Sequence, residues 1–341
     1  MKNLFTILLI IGTLISAKAQ DNHFSMFYNS PLYLNPAMTG LMVEDIRAVA
    51  QYRSQWQSVT VPYQTMMAAV DGQILKGYLR DDFVGVGLMM YNDKAGDAEF
   101  RNTHVALSAS YNKDLSGGGD HYLSAGAQIG LAQQAVNFNN LLFDSQFDGE
   151  MLNPSIASGE NLTRENFMYL DMSAGLAWYY LPSAKTNFYA GFAVSHMNRP
   201  NMSLIDGVEN PLYMKWVGHA GIEFALTDGL SLVPRGVFIK QGPHTELNIG
   251  GLMKFGVNSQ LGDDYGQTAF YFGSMYRVGD AAIAILKIDL NRISFSVSYD
   301  FNVSALDVAS QANGGFEIGL TYKTWIFDAP KGSGPVGCPT F

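Results

Sequence analysis

Cysteine is nearly missing from this chain: one residue in 341, Cys338, lies close to the C-terminus. An internal disulfide is therefore excluded. Charge is sparse too. Asp, Glu, Lys and Arg make up 15% of the sequence, against about 25% in ordinary soluble domains. The formal net charge of −9 provides no basic groove, which argues against nucleic acid as a partner. After the first twenty residues no apolar run is long enough for a membrane helix. No proline-rich linker, charge block or low-complexity tract divides the chain, so it reads as one domain. A G-x-S-x-G elbow is absent, and no histidine pair has metal-ligand spacing on a common strand face. Catalysis, a metal and a cofactor are accordingly not expected.

What the chain does have begins with Lys2, an apolar run from Leu4 to Ile15, and Ala17-Lys18-Ala19. A basic start, a short apolar core and an A-x-A site predict a secretory signal peptide over 1–19, cut after Ala19. Beyond it, period-two alternation recurs. In one stretch Leu170, Met172, Ala174, Leu176, Trp178 and Tyr180 share a face, with Asp171, Ser173, Gly175 and Ala177 opposite. The same rhythm sets Val105, Leu107, Ala109 and Tyr111 against His104, Ala106, Ser108 and Ser110. A bilayer accepts a spanning chain only as a helix or a closed barrel, in which every backbone group is paired internally. The pattern therefore predicts an all-β fold, a transmembrane antiparallel β-barrel with apolar residues outward and polar ones lining the lumen.

Fourteen strands are predicted at about 46–53, 63–75, 83–92, 102–113, 121–133, 169–180, 186–197, 214–226, 229–240, 245–258, 266–277, 281–290, 292–301 and 315–326. Counted from a periplasmic start, the even-numbered turns are tight. All long connections (134–168, 198–213 and 302–314) fall in the odd set, as inner turns and outer loops should. Both termini are then expected in the periplasm, with 46–327 as the barrel and 328–341 as a periplasmic tail. Tyr52, Tyr91, Tyr111, Trp178, Tyr179, Tyr180, Tyr299, Phe301, Trp325 and Phe327 cluster at strand ends as candidate interfacial girdles. Loop 134–168 carries Asp144, Asp148, Glu150, Glu160 and Glu165 against Arg164. Its spacing matches no calcium loop, and Phe138, Leu141, Leu142, Phe143 and Phe147 suit an external cap or a protein contact.

Residues 20–45 are not strand-like, since Pro31 and Pro36 forbid regular ladder pairing. Ser30 and Asn35, each before a proline, are expected in extended geometry, and Gly40 offers a conformation closed to other residues. Such a segment suits a plug in the lumen, a lid on the periplasmic mouth, or a docking surface. Arg53 is expected to face the lumen and pair with a carboxylate, Asp71, Asp171, Glu223 and Asp300 being available. His104, His196 and His219 are read as hydrogen-bonding lumen residues.

Three stretches carry a family resemblance. Asp21-Asn22-His23-Phe24-Ser25-Met26-Phe27-Tyr28-Asn29-Ser30-Pro31-Leu32-Tyr33-Leu34-Asn35-Pro36-Ala37-Met38-Thr39-Gly40 resembles the mature start of the PorP/SprF family, type IX secretion system outer-membrane proteins of Bacteroidetes. Tyr52-Arg53-Ser54-Gln55-Trp56 is similar to that family's Arg-x-Gln-Trp signature. The ending Gly337-Cys338-Pro339-Thr340-Phe341 resembles its terminal Cys-Pro-Arg-Phe, with Thr340 in place of Arg. The resemblance implies a barrel in outer-membrane lipid that works with type IX secretion components and a secreted surface protein such as a gliding adhesin. Phe27, Tyr28, Asn29, Pro31, Asn35, Pro36, Gly40, Arg53, Gln55, Trp56 and Cys338 are its candidate partner-binding residues. The competing reading is an outer-membrane porin or small-molecule transporter.

Overall fold

The computed structural model describes residues 21–326 apart from 59–60, 77, 80, 161, 184, 258–267, 305–309 and 311. Cys338, Phe327 and the expected tail lie outside the described residues. Fourteen strands follow one another: β1 Ile46–Gln55, β2 Tyr63–Ile74, β3 Phe83–Ala95, β4 Phe100–Asp114, β5 His121–Ala135, β6 Asn166–Ser183 and β7 Thr186–Ser195. The series continues with β8 Lys215–Thr227, β9 Leu230–Gln241, β10 His244–Val257, β11 Thr268–Arg277, β12 Ala281–Leu290, β13 Ile293–Asn302 and β14 Asn313–Thr324. Each pairs antiparallel with its sequence neighbours. β1 closes on β14 from Ile46↔Thr324 to Gln55↔Gly315, so the sheet is a closed barrel. Closure removes the open edge that lipid would not tolerate. No helix among the described residues is long and apolar enough to cross a membrane.

The outward face is the apolar one. Leu107, Leu131, Leu176, Phe238, Phe272 and Leu286 are all exposed on the isolated barrel, although each sits mid-strand, which is the signature of a lipid-facing belt. Trp178, Tyr111 and Phe301 belong to that face. Tyr91 and Tyr179, predicted for the girdles, instead turn inward and are buried at 6% and 1%. Each sits one residue off the outward register, so strand-end position alone misassigned them.

The lumen departs from the expected polar lining. Along β8 to β12 the inward residues include Val217, Val233, Val237, Leu252, Ile283 and Ile285, all no more than 2% exposed. They are dry because residues 24–42 fill the barrel. This segment folds as tight helical turns: a 3-10 turn at Phe27–Asn29, α1 at Pro31–Leu34, and a second 3-10 turn at Pro36–Met38. Proline suits the first position of such turns, where its missing N–H has no partner to lose. Asn35 is extended, as expected, but Ser30 is not, at φ −120° and ψ 62°. Met26, Leu32, Ala37 and Met38 are at most 1% exposed.

Candidate functional site

The 21–45 segment threads the lumen from one end to the other. At the end bearing the long connections, the Asp21 N–H donates to Gln241 Oε1 at 2.9 Å. At the short-turn end, Gln73 Nε2 donates to Gly40 O at 3.0 Å and the Asp45 N–H donates to Thr324 O at 3.1 Å. The sequence placed the processed N-terminus in the periplasm. Asp21 instead lies at the loop-bearing end, because the chain crosses the barrel before β1 starts.

Three clusters of polar side chains anchor this plug. In the first, Glu317 of β14, 1% exposed, accepts four donors. These are the backbone amides of Ser25 (2.8 Å) and Met26 (3.0 Å), Arg53 Nη1 (3.0 Å) and Gln51 Nε2. Beside it Asp300 accepts from Arg53 Nη2 at 2.9 Å, Arg277 Nη2 at 2.6 Å and Ser25 Oγ at 2.8 Å. Ser30 reaches Gln51 from above. Buried charges persist only when paired and hydrogen-bonded, and here the plug supplies part of the pairing. The cluster also joins β13, β14 and β1, so it straddles the seam where the barrel closes.

At the short-turn end, Arg47 forks onto Asp71, with Nε donating at 3.0 Å and Nη2 at 2.7 Å, and also reaches Met38 O at 3.2 Å. The free oxygen capacity of Asp71 takes the Gly40 N–H at 2.7 Å. Gly40 sits at φ +68°, and a Cβ there would lie 2.7 Å from the Gly85 Cα. Only glycine fits both the dihedral and the space. Opposite, a Cβ on Gly126 would lie 2.5 Å from the Ala37 nitrogen, so the plug backbone rests directly on the wall.

At the loop-bearing end His196 is held between two carboxylates, with Nε2 at 2.7 Å from Asp21 and Nδ1 at 2.9 Å from Asp171. Lys215 Nζ adds 2.9 Å to Asp21. Burial pushes the His196 imidazolium down, but Asp21 and Asp171 outweigh it and raise the group to about 9. Burial likewise raises Asp21, yet His196 and Lys215 hold its carboxyl well below the usual carboxylate range.

Of the predicted residues, Phe27, Tyr28, Asn29, Pro31, Asn35, Pro36 and Gly40 are all buried in the lumen. The Tyr28 ring lies 4.1 Å below the Arg235 guanidinium. Asn29 Nδ2 donates to Ser296 Oγ at 2.8 Å. Asn35 donates to Leu176 O at 2.9 Å, accepts from the Ala37 N–H at 2.9 Å, and lies 3.1 Å from His219 Nε2. The Arg-x-Gln-Trp motif is split. Arg53 enters the lumen, while Gln55 ends β1 and Trp56 packs on Tyr63 at the rim, centroids 4.9 Å apart. Arg47, Gln51, Lys215, Arg277 and Glu317 were not singled out by sequence. Their one signal is inward parity, which Arg47, Gln51 and Arg53 share at even spacing on β1. Among the described residues no group of three His, Cys, Asp or Glu side chains could hold a metal ion.

Among solved structures, the Pseudomonas putida toluene transporter TodX is similar at 11% identity, with a TM-score of 0.48, covering 87% of this chain and 93% of that one. A Pseudomonas aeruginosa FadL homologue is similar at 11% identity, TM-score 0.45, covering 88% and 95%. Among curated proteins no sequence matches the chain. The family profile for type IX secretion system membrane protein PorP/SprF matches residues 16–322. With a closed outer-membrane barrel in place and the match running from before the plug to the last strand, the chain belongs to the PorP/SprF family of type IX secretion system membrane proteins.

Proposed function

We propose that the protein assists the secretion, surface display or anchoring of a partner protein, such as a gliding adhesin, and does so as a scaffold with no reaction of its own. The observation that carries this reading is the filled lumen. A porin or small-molecule transporter needs a wide aqueous interior, whereas here Met26, Leu32, Ala37 and Met38 occupy it. A barrel plugged by its own chain offers partners its rims and its outer wall. Most of the candidate docking residues then act by fixing the plug, and among the described residues those left within reach of a partner are Gln55 and Trp56. Trp56 lines an open cleft of about 320 Å³ with Ser54, Tyr299 and Phe316 at the loop-bearing rim.

The test is removal of the whole protein from its native cell. The expected result is loss of one surface protein from intact cells while small-solute permeability stays the same. Unchanged surface proteins together with lowered solute uptake would replace this reading with the transporter.

A further inference from the structure

β6 rises past the strand that follows it. Its register with β7 covers Ala174↔Val194 to Tyr180↔Phe188 and then Ser183↔Thr186, so residues 166–173 extend beyond it. β7 stops because His196 takes a positive φ of 57° and carries its ring into the lumen. The next residues improvise a short continuation. The Met197 N–H donates to Met172 O at 2.9 Å, Asn198 Oδ1 accepts the Met172 N–H at 3.2 Å, and Asn198 Nδ2 donates to Leu170 O at 2.6 Å.

Successive residues of a strand aim their backbone groups at opposite neighbours. Since Met172 and Leu170 point theirs toward the β7 side, Met168 does so too. There the N–H of Leu170 and both backbone groups of Met168 meet no protein partner among the described residues. Cover resumes only at Thr163 and Arg164, whose amides donate to Leu204 O at 3.1 and 3.0 Å. The Met168 side chain is 63% exposed. Natural edges are blunted by proline, lysine or a bulge, yet Asn166-Phe167-Met168-Tyr169-Leu170 contains neither proline nor charge.

We propose that this bare edge of β6 receives an extended segment of the barrel's partner protein, which adds a short strand beside Met168 and Leu170. The proposal rests on the partner-handling role given above and names where the partner binds. Main-chain hydrogen bonds supply affinity in such strand addition, and alternate side chains supply selectivity. The exposed carboxylate of Glu165 directly precedes the edge at Asn166. The Arg164 guanidinium is committed to Ser203 O at 3.0 Å, the Phe167 ring at 4.1 Å and Asp206 Oδ1 at 3.8 Å. The segment that fits carries lysine or arginine, with apolar residues at every second position to meet Met168 and Leu170.

Met168→Pro tests this directly. It deletes an N–H that points away from β5, so the barrel's own ladder stays whole, and proline is tolerated on such an edge. The probe is the surface protein whose display depends on the barrel, quantified on the full-length barrel extracted from native outer membranes. Met168→Pro should lower the bound amount at least tenfold and Met168→Ala less than twofold, both with unchanged heat-modifiable migration. Undiminished binding by the proline variant overturns the proposal. A photo-reactive residue at position 168 covers the case of a misfolded variant: cross-linking to the surface protein supports the edge, and cross-linking only to a second copy of the chain refutes it. If removal of the whole barrel left display intact, the partner-handling role itself would fail, a result distinct from either of these.

Discussion

The lumen wall presents two unlike surfaces to the same plug. From β13 through β14 to β1 and β2 it is ionic, with Asp300, Glu317, Arg53, Arg47 and Asp71 all at most 3% exposed. From β8 to β12 it carries an apolar patch, with Val233, Leu252, Ile283 and Ile285 in one cluster with Met26, Leu34, Met38 and Leu41, alongside the buried cations Arg235, Arg277 and Lys287. Apolar burial is non-directional, so that patch by itself holds the plug without fixing its position. Buried charges forgive little displacement, because each lost partner leaves an unpaired ion. The apolar wall therefore supplies adhesion and the ionic wall supplies register. Since Glu317 gathers donors from the plug and from β1, seating of the plug and closure of the barrel are coupled.

Removing the plug is the most severe way to break that contrast. Deleting residues 21–40 exposes both walls to water, and they should respond in opposite senses. The ionic wall regains solvent for its charges, while the apolar wall is left as a wet hydrophobic surface. The barrel is expected to stay inserted and heat-modifiable, yet to conduct ions steadily in planar bilayers where the full chain is closed. Equal conductance of both would mean the plug does not seal the lumen.

Point changes sharpen the comparison at smaller scale. Glu317→Ala strips four donors of their acceptor and should destabilise by about 3–5 kcal/mol, the range for breaking a buried pair. On the apolar wall, Ile283→Val removes one methylene and should cost about 1 kcal/mol. Midpoints of denaturant-induced unfolding in micelles measure both. The ionic change should in addition open residues 21–45 to protease, and the apolar change should not. Equal protease sensitivity in the two variants would remove the division of labour.

These contrasts explain what could be read from the chain. β12 was legible to the residue, at 281–290, because Gly279-Asp280 and Asn291 punctuate it on both sides. β4 was legible within two residues, because period-two alternation over a lipid belt leaves little freedom of register. β6 was read as 169–180 but runs Asn166–Ser183, since the alternation says nothing about how far a strand outlasts its neighbours. The apolar wall was not legible: with Ile283 and Ile285 inward and Leu286 outward, alternation fades into a continuous apolar run. Parity marked Arg53 and Asp300 as lumen residues, but not their pairing across 247 positions of sequence. Ser25, whose hydroxyl and amide both serve the cluster, lies in the family stretch but nothing in the sequence singles it out there.

The mildest expected effect lies at the loop-bearing end, where the register device is titratable. His196 is raised from an ordinary 6.5 to about 9, so its stabilising contribution is complete below about pH 6.5 and is lost as pH rises through about 9. Asp21 is shifted the other way. Its contribution is present above its ordinary 3.8 and disappears only in stronger acid. Both facing carboxylates, Asp21 and Asp171, and the neighbouring Lys215 and His104 belong to the same cluster. Between pH 7 and 10, residues 21–25 should therefore lose hydrogen-exchange protection, after correction for intrinsic rates, before residues 36–42 do. The Arg47–Asp71 fork at the far end contains no histidine. In His196→Gln the early loss should vanish, because the substituted amide carries no charge at any pH. Simultaneous loosening of both ends would show that the plug moves as one rigid body and that the His196 cluster does not anchor it separately.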